Sequence, residues 1–200
     1  MVGSSGRLHQ RGHGAEVDSH SLVIRVNQAP TARHEADVGT VTHIRFSFCG
    51  ALWTAIDVEH VVGWDEILII RDAEDFRCDK WWLQPWLERG QVVFVEPEWQ
   101  EWLHRQVDPG VGSMVSAGFA SVAVAIALAQ LVGARPPTVY GFGSCPSCAK
   151  YYECNHVDKD GVLGEAFGLS ANHAFGTEHD ILHDTWHEMG AINFVEEPCE

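Results

Sequence analysis

Short apolar runs and amphipathic stretches alternate along the chain, separated by turn-forming residues. Ser21–Val26 (SLVIRV) is short and β-branched, as in a buried strand, and Pro30 beyond it cannot donate to a ladder. Thr42–Phe48 (THIRFSF) alternates apolar and polar positions and predicts a second strand. Glu66–Ile70 (EILII) and Gln91–Pro97 (QVVFVEP) carry continuous apolar runs, the pattern of strands covered on both faces. Lys80–Glu88 reads as a short amphipathic helix interrupted by Pro85, and Glu98–Gln106 has helical spacing at Trp99, Trp102 and Leu103. Ala117–Leu131 predicts a long core helix. Thr138–Gly143 predicts a strand ending in a glycine turn, Glu178–Met189 a helix, and Ala191–Glu197 a final strand. The stretch up to Gly14 is rich in Gly, Ser and His without periodicity and reads as a loop or a frayed end.

Strand and helix alternate with short connections, so the fold class is α/β: a Rossmann-like, mostly parallel sheet with helices on both faces. The 200 residues form one domain, with neither an internal repeat nor an interdomain linker. In such sheets ligands bind beyond the carboxyl ends of the strands. Two polar segments fall there, Asn27–Thr31 and Gly141–Gly143, the latter followed by Lys150–Glu153.

Composition narrows the function classes. The net charge of −15 argues against a sequence-independent nucleic-acid binder and against docking on an anionic membrane surface. A hydrophobic fraction of 46% excludes general disorder. The opening MVGSSGRLHQ lacks the apolar core of a signal peptide. The uncharged run from Pro109 to Ala134 is Gly- and Ser-rich at first and then Ala-rich, which suits a loop and a buried helix better than a membrane span. Six cysteines occur, and CPSCAKYYECNH places Cys145, Cys148, Cys154 and His156 within twelve residues. That set has zinc-like chemistry, but a structural zinc site usually has a second pair farther along, and none follows. The spacing favours a local disulfide or loop cysteines.

Four segments, in order, carry a resemblance. The first holds Val2, Gly3, Ser5 and Gly6, then Asp18 and His20, then Val23-Ile24-Arg25, Asn27, Ala29-Pro30-Thr31, Glu35, Asp37-Val38-Gly39 and Thr42-His43. The second is VSAGFASVAVAIALAQLVGARPPTVYGFG, preceded by VFVEPEWQEWLHRQV. The third is Lys150-Tyr151-Tyr152-Glu153, and the fourth is His173 followed, after four residues, by Glu178. Together they resemble the large, small, third and very short sialylmotifs of the eukaryotic sialyltransferases, glycosyltransferase family 29.

The resemblance implies a variant nucleotide-sugar glycosyltransferase fold and an inverting, metal-independent transfer of sialic acid from CMP-sialic acid to a glycan hydroxyl. No cofactor is expected; the partners are the CMP-sugar donor and a glycoprotein or glycolipid acceptor. It implies a Golgi setting, and a chain beginning at the end of its first strand, without that strand, a stem or an anchor. His173 stands at the family's base position, which suits a side chain titrating near neutrality. Gly3, Ser4, Ser5, Asn27, Ser116, Ala117, Gly118 and Tyr151 stand where the family holds the nucleotide. Glu178 orients the site, and Lys150 faces the departing phosphate. The chain departs from the motifs at Ser4 (usually Asn), at Val115-Ser116-Ala117-Gly118 (usually Pro-Ser-Thr-Gly) and at Lys150 (usually His). The small-motif cysteine of the family's disulfide is Val132 here. Two other readings share the cleft: transfer of another CMP-linked keto-sugar acid such as Kdo, and a relative that binds nucleotide or glycan with weakened catalysis.

Overall fold

A computed structural model of the chain describes residues 1–53, 62–71, 82–107, 115–143, 145, 150–152 and 173–195. Four strands, β1 (Ile24–Val26), β2 (Ile44–Phe48), β3 (Ile67–Arg71) and β4 (Val92–Phe94), pair in parallel in that order. Two more, β5 (Thr138–Val139) and β6 (Asn193–Phe194), also pair in parallel. Val2 joins the two sets through parallel bridges to Arg25 on one side and Tyr140 on the other. The Val2 N–H donates to Ile24 O at 2.9 Å and the Gly3 N–H to Tyr140 O at 2.8 Å. Reading across, the order is β6, β5, Val2, β1, β2, β3, β4. The chain winds outward from Val2 to β4, then crosses back to lay down β5 and β6. The strand order therefore reverses at Val2, and the crevice beyond its carboxyl end is the topological switch point.

Helices cover both faces, because alternate residues of a strand point to opposite sides. On one face Ile24, Val26, Ile44, Phe46 and Ile69 pack against Leu103 and Val107 of α5 (Pro97–Val107) and Phe119 and Val122 of α6 (Ala117–Leu131). On the other face Leu68 and Ile70 meet Cys49 and Leu52 of α3 (Cys49–Trp53) and Leu83 and Trp86 at α4 (Gln84–Glu88). Complete burial of each such side chain contributes about 1.5–3 kcal/mol. A third cluster holds Val2, Leu8, Tyr140 and Tyr151 with Val17 of α1 (Gly14–Asp18) and Val38 of α2 (Glu35–Val38).

Between these apolar clusters lie two arginines. Arg25 and Arg45 are register partners on β1 and β2, and each is 1% exposed. Arg45 makes a bidentate pair with Glu66 at 2.7 and 3.0 Å, and its Nη1 donates to Asn27 O at 2.7 Å. Arg25 donates to the carbonyls of Val38 and Val41 and to the Thr42 hydroxyl. Burial lowers the Arg25 guanidinium from its ordinary value, and Arg45 adds to that, against the opposing pull of Tyr151, Asp18 and Glu66.

Several expectations change. The stretch before Gly14 is ordered into the core: Val2 sits in the sheet, Gly6–Leu8 is a 3₁₀ turn, and Leu8 is fully buried. The run QVVFVEP is not a buried strand. β4 is an edge strand whose Val93 is 52% exposed, since an apolar run alone does not say how many neighbours a strand finds. Pro85 opens α4 rather than interrupting a helix, because a proline in the first helical turn loses no hydrogen bond. The last helix starts earlier than read from the sequence, as α7 (Phe175–Asp180), and continues as a π-helix over Ile181–His187. Cys49 and Cys145 each take part in a disulfide, which agrees with the disulfide reading of the cysteine cluster and removes Cys145 from any zinc ligand set. Cys148, Cys154, His156 and Glu153 lie outside the described residues. Among the described residues no group of His, Cys, Asp and Glu is arranged to hold a metal, and no helix is long and apolar enough to cross a membrane.

Asp18 pins the loop between α2 and β2. Its carboxylate accepts from the Thr40 N–H, the Thr40 hydroxyl and the Val41 N–H, all at 2.9 Å. Burial raises its pKa, but these hydrogen bonds and Arg25 outweigh burial, and the net shift is downward. A carboxylate with a lowered folded-state pKa contributes stability that is present above its unfolded value, about 4, and is lost as the pH falls through the folded one. Asp18→Asn is therefore expected to lose about 1–2 kcal/mol at pH 7. Denaturant titrations from pH 7 to pH 3 check this: the gap between wild type and variant narrows in the acid range.

Candidate functional site

Three loops meet at the switch point: Gly3–Ser5 after Val2, Asn27–Pro30 after β1, and Gly141–Gly143 after β5. They pack so closely that glycine is required. A Cβ on Gly3 would lie 2.3 Å from Gly141 O and 2.9 Å from the Phe142 ring. Gly141 is left-handed at φ +67°, with Leu8 against its α-carbon. Ser5 is buried. Its N–H donates to Gly141 O at 3.1 Å, and its hydroxyl accepts the Arg7 N–H at 3.2 Å, capping the 3₁₀ turn.

Lys150 and Tyr151, far away in sequence, complete this floor. Lys150 bridges antiparallel to Ser5, and its Nζ donates to Ser4 Oγ at 3.1 Å. The Tyr151 N–H donates to Ser4 O at 3.2 Å, and its phenol donates to Pro30 O at 2.5 Å. Tyr151 thus ties the Gly3–Ser5 loop to the Asn27–Pro30 loop. Burial pushes its phenol up to about 12 against the pull of Arg25 and Arg45, so the hydroxyl remains a donor at neutral pH. The Tyr151 ring stands edge-on to His34 and to Tyr152, at 5.2 and 5.1 Å between centroids.

Asn27 is left-handed at φ +53°, a conformation asparagine tolerates better than most residues. Its N–H donates to Phe46 O, its carbonyl accepts from Arg45, and its Oδ1 accepts the Ser47 hydroxyl at 3.1 Å. With Oδ1 occupied, the side chain's remaining polar group is its amide NH₂ donor.

A second group forms where α6 begins. Ser116 caps the helix, its hydroxyl accepting the Phe119 N–H at 3.0 Å. Its own N–H donates to Glu178 Oε1 at 2.6 Å. Glu178 belongs to α7 and is 3% exposed, so its carboxylate serves the positive end of α6 and fastens the two helices together. Arg71 Nη1 donates to Val115 O at 2.6 Å and holds the strand side of the same turn. Ala117 is buried and Gly118 half-buried. His173 is half-buried two residues before α7, its ring edge-on to Phe175 at 5.2 Å between centroids.

Phe142 links the two groups. Its ring lies against the α-carbon of Gly3 along one edge and that of Gly118 along the other. Sequence reading quoted this phenylalanine within VYGFG without giving it a task; the signal was a pair of glycines far apart in the chain, each leaving room for a ring. Arg71 also escaped notice, and Pro30 was noted only as a strand break and a motif residue, because their contributions come from a guanidinium on a carbonyl and from a carbonyl on a phenol. Gly3, Ser4, Ser5, Asn27, Lys150 and Tyr151 therefore form one cradle, and Ser116, Ala117, Gly118 and Glu178 a neighbouring one joined to it through Phe142. Chemically, the first offers the Ser4 backbone amide, short hydroxyls, a carboxamide donor and an ammonium, a set suited to an anionic phosphate. Polar donors gathered in this way create a local field opposed to the net charge of −15.

Comparison with known proteins by sequence model falls on the amino-terminal part of this site. Residues 1–60 match the sequence model of glycosyltransferase family 29 (sialyltransferase). The human CMP-N-acetylneuraminate-beta-galactosamide-alpha-2,3-sialyltransferase 1 is 57% identical over 42 residues, which is 21% of this chain and 12% of that protein. The mouse sialyltransferase 2 of the same description is 50% identical over 48 residues, 24% of this chain and 14% of its own length. Human beta-galactoside alpha-2,6-sialyltransferase 1 is 36% identical over 88 residues, 42% of this chain and 22% of that protein. By fold, the chain is similar to a mammalian sialyltransferase solved with Gal-beta-1-3GalNAc-ortho-nitrophenol. The TM-score is 0.69 at 20% identity, covering 98% of this chain and 68% of that one. The sequence resemblance is thus shown at the amino-terminal motif, and the fold over almost the whole chain.

The Glu178–Ser116 bond can be tested apart from any substrate. Glu178→Ala leaves the half-buried Ser116 N–H without its acceptor and is expected to destabilise the fold by about 1–3 kcal/mol, whereas Glu178→Gln keeps a carbonyl there and costs less. Urea unfolding of the three proteins checks the order.

Proposed function

We propose that this chain is the catalytic part of a sialyltransferase, transferring sialic acid from CMP-sialic acid to a glycan hydroxyl with inversion and without a metal. The observation that carries the reading is the switch-point cradle. The residues matching the amino-terminal family motif, Gly3, Ser5 and Asn27, converge there with Lys150 and Tyr151 at the place where an α/β sheet binds a nucleotide.

The roles follow from the groups present. The Ser4 N–H and the Asn27 carboxamide hold the CMP phosphate, since the Gly3 and Ser5 N–H groups are spent on Tyr140 and Gly141 and the Ser4 hydroxyl accepts from Lys150. Tyr151 does not reach for the donor through its hydroxyl, which is engaged by Pro30; it holds the two loops at the spacing the nucleotide requires. The amides of Ala117 and Gly118 at the start of α6 suit the sialate carboxylate, since Glu178 and Ser116 already satisfy the flanking Ser116 and Phe119 N–H groups.

In the transfer, the acceptor oxygen attacks the anomeric carbon from the side opposite the phosphate, and its proton passes to His173. The bond from that carbon to the phosphate oxygen breaks, and its electron pair leaves with CMP. A phosphate needs no protonation to depart if its charge is met, and the Lys150 ammonium meets it while keeping its own proton. Direct displacement inverts the anomeric centre.

The experiment is CMP release and transfer from CMP-sialic acid with a panel of galactosides that includes Gal-β-1,3-GalNAc. Wild type is expected to transfer, and His173→Ala to lose about 10²- to 10⁴-fold in kcat while still binding CMP. Equal rates for the two proteins show that His173 is not the base.

A further inference from the structure

Two departures from the family pattern, 146 residues apart in sequence, touch one another. Ser4 stands where the large motif has asparagine and Lys150 where the third motif has histidine, and Lys150 Nζ donates to Ser4 Oγ at 3.1 Å. The backbone brings the two segments together: Lys150 bridges to Ser5, and the Tyr151 N–H donates to Ser4 O. The two positions are thus neighbouring rungs of one short antiparallel pairing, and a change in the length or charge of one side chain is felt by the other. A serine is shorter than an asparagine and leaves room for a longer lysine. Its hydroxyl also orients toward an ammonium with an oxygen lone pair, where the NH₂ end of a carboxamide would oppose it.

We propose that Ser4 and Lys150 act as one unit of the donor site, with Ser4 as the positioning residue that aims the Lys150 ammonium at the departing phosphate. The pair replaces a titrating imidazole by a charge that persists across the neutral range. Histidine loses its proton near pH 6.5 and lysine near pH 10.4, so leaving-group stabilisation at this position does not switch off between pH 6 and pH 8. This rests on the sialyltransferase reading above. The step it serves is the one already written, cleavage of the bond from the anomeric carbon to the phosphate oxygen with the electron pair going to CMP. No proton moves from Lys150.

The test is CMP binding by calorimetry to the full chain, with the single variants Ser4→Ala and Lys150→Met and the double variant. Lys150→Met is expected to weaken CMP roughly tenfold, the size of one hydrogen bond to a charged group. Ser4→Ala is expected to cost several-fold with Lys150 present and almost nothing in the Lys150→Met background. The same factor in both backgrounds shows that Ser4 meets the nucleotide directly, and overturns the pair.

A second readout is one that loss of structure would not imitate. For Lys150→His, the ratio of its CMP dissociation constant to that of wild type is expected to rise about tenfold from pH 6 to pH 8, as the imidazole loses its charge. The ratio cancels the ionisation of the CMP phosphate itself. Lys150→Arg, which keeps the charge, is expected to give a flat ratio. A flat ratio for Lys150→His overturns the proposal. Failure of the wild-type chain to bind CMP at any pH overturns the nucleotide reading and the pair with it. Wild-type binding with independent effects of the two residues overturns the pair alone.

Discussion

Two guanidiniums lie side by side on the buried face of a parallel sheet, and the loops of the candidate site take their shape from the need to surround them. The register that pairs Ile24 with Ile44 also places Arg25 beside Arg45, each 1% exposed. Two like charges in a low-dielectric interior are tolerable only if each is enclosed by acceptors. Glu66 neutralises Arg45, and the remaining acceptors are the Thr42 hydroxyl and the backbone carbonyls of Asn27 and Ala29 on one side and Val38 and Val41 on the other. Those carbonyls belong to the loops that follow β1 and precede β2. The turn that presents Asn27 and the turn held by Asp18 are therefore set by charge satisfaction beneath them. Gly39 is part of the same device: at φ +73°, with an Asp18 oxygen 2.2 Å from any Cβ, the position admits only glycine.

On this foundation the site is assembled by close approach. Val2 brings the Gly3–Ser5 loop between β1 and β5, and only glycine at position 3 lets the backbone pass under Gly141 and Phe142. Phe142 then spaces this loop from the start of α6, where Glu178 reaches across from α7 to hold the Ser116 N–H. A carboxylate at that helix end accounts for a buried acidic residue.

Much of the architecture was legible because strands and helices announce themselves by period. β2, β3 and α6 lie where alternation, a continuous apolar run and an alanine-rich stretch place them, and α6 matches Ala117–Leu131 at both ends. The misreadings have specific causes. QVVFVEP carries the apolar run of an inner strand, yet among the described residues no strand is laid beyond it. The N-terminal stretch has no periodicity because its order comes from one sheet residue, one buried leucine and glycines chosen for proximity.

By itself the sequence determined the α/β class, the order of its motifs and the chemical types available at the carboxyl ends of the strands. These depend on local periodicity and residue identity, which are written in one dimension. Only the tertiary structure decided which of those groups meet. It put Lys150 on Ser4, Tyr151 on Pro30, Glu178 on Ser116, and Phe142 between Gly3 and Gly118. Each contact joins segments brought together by the strand reversal at Val2. Their distances follow from sheet register and from the satisfaction of buried charge, and neither can be counted along a chain.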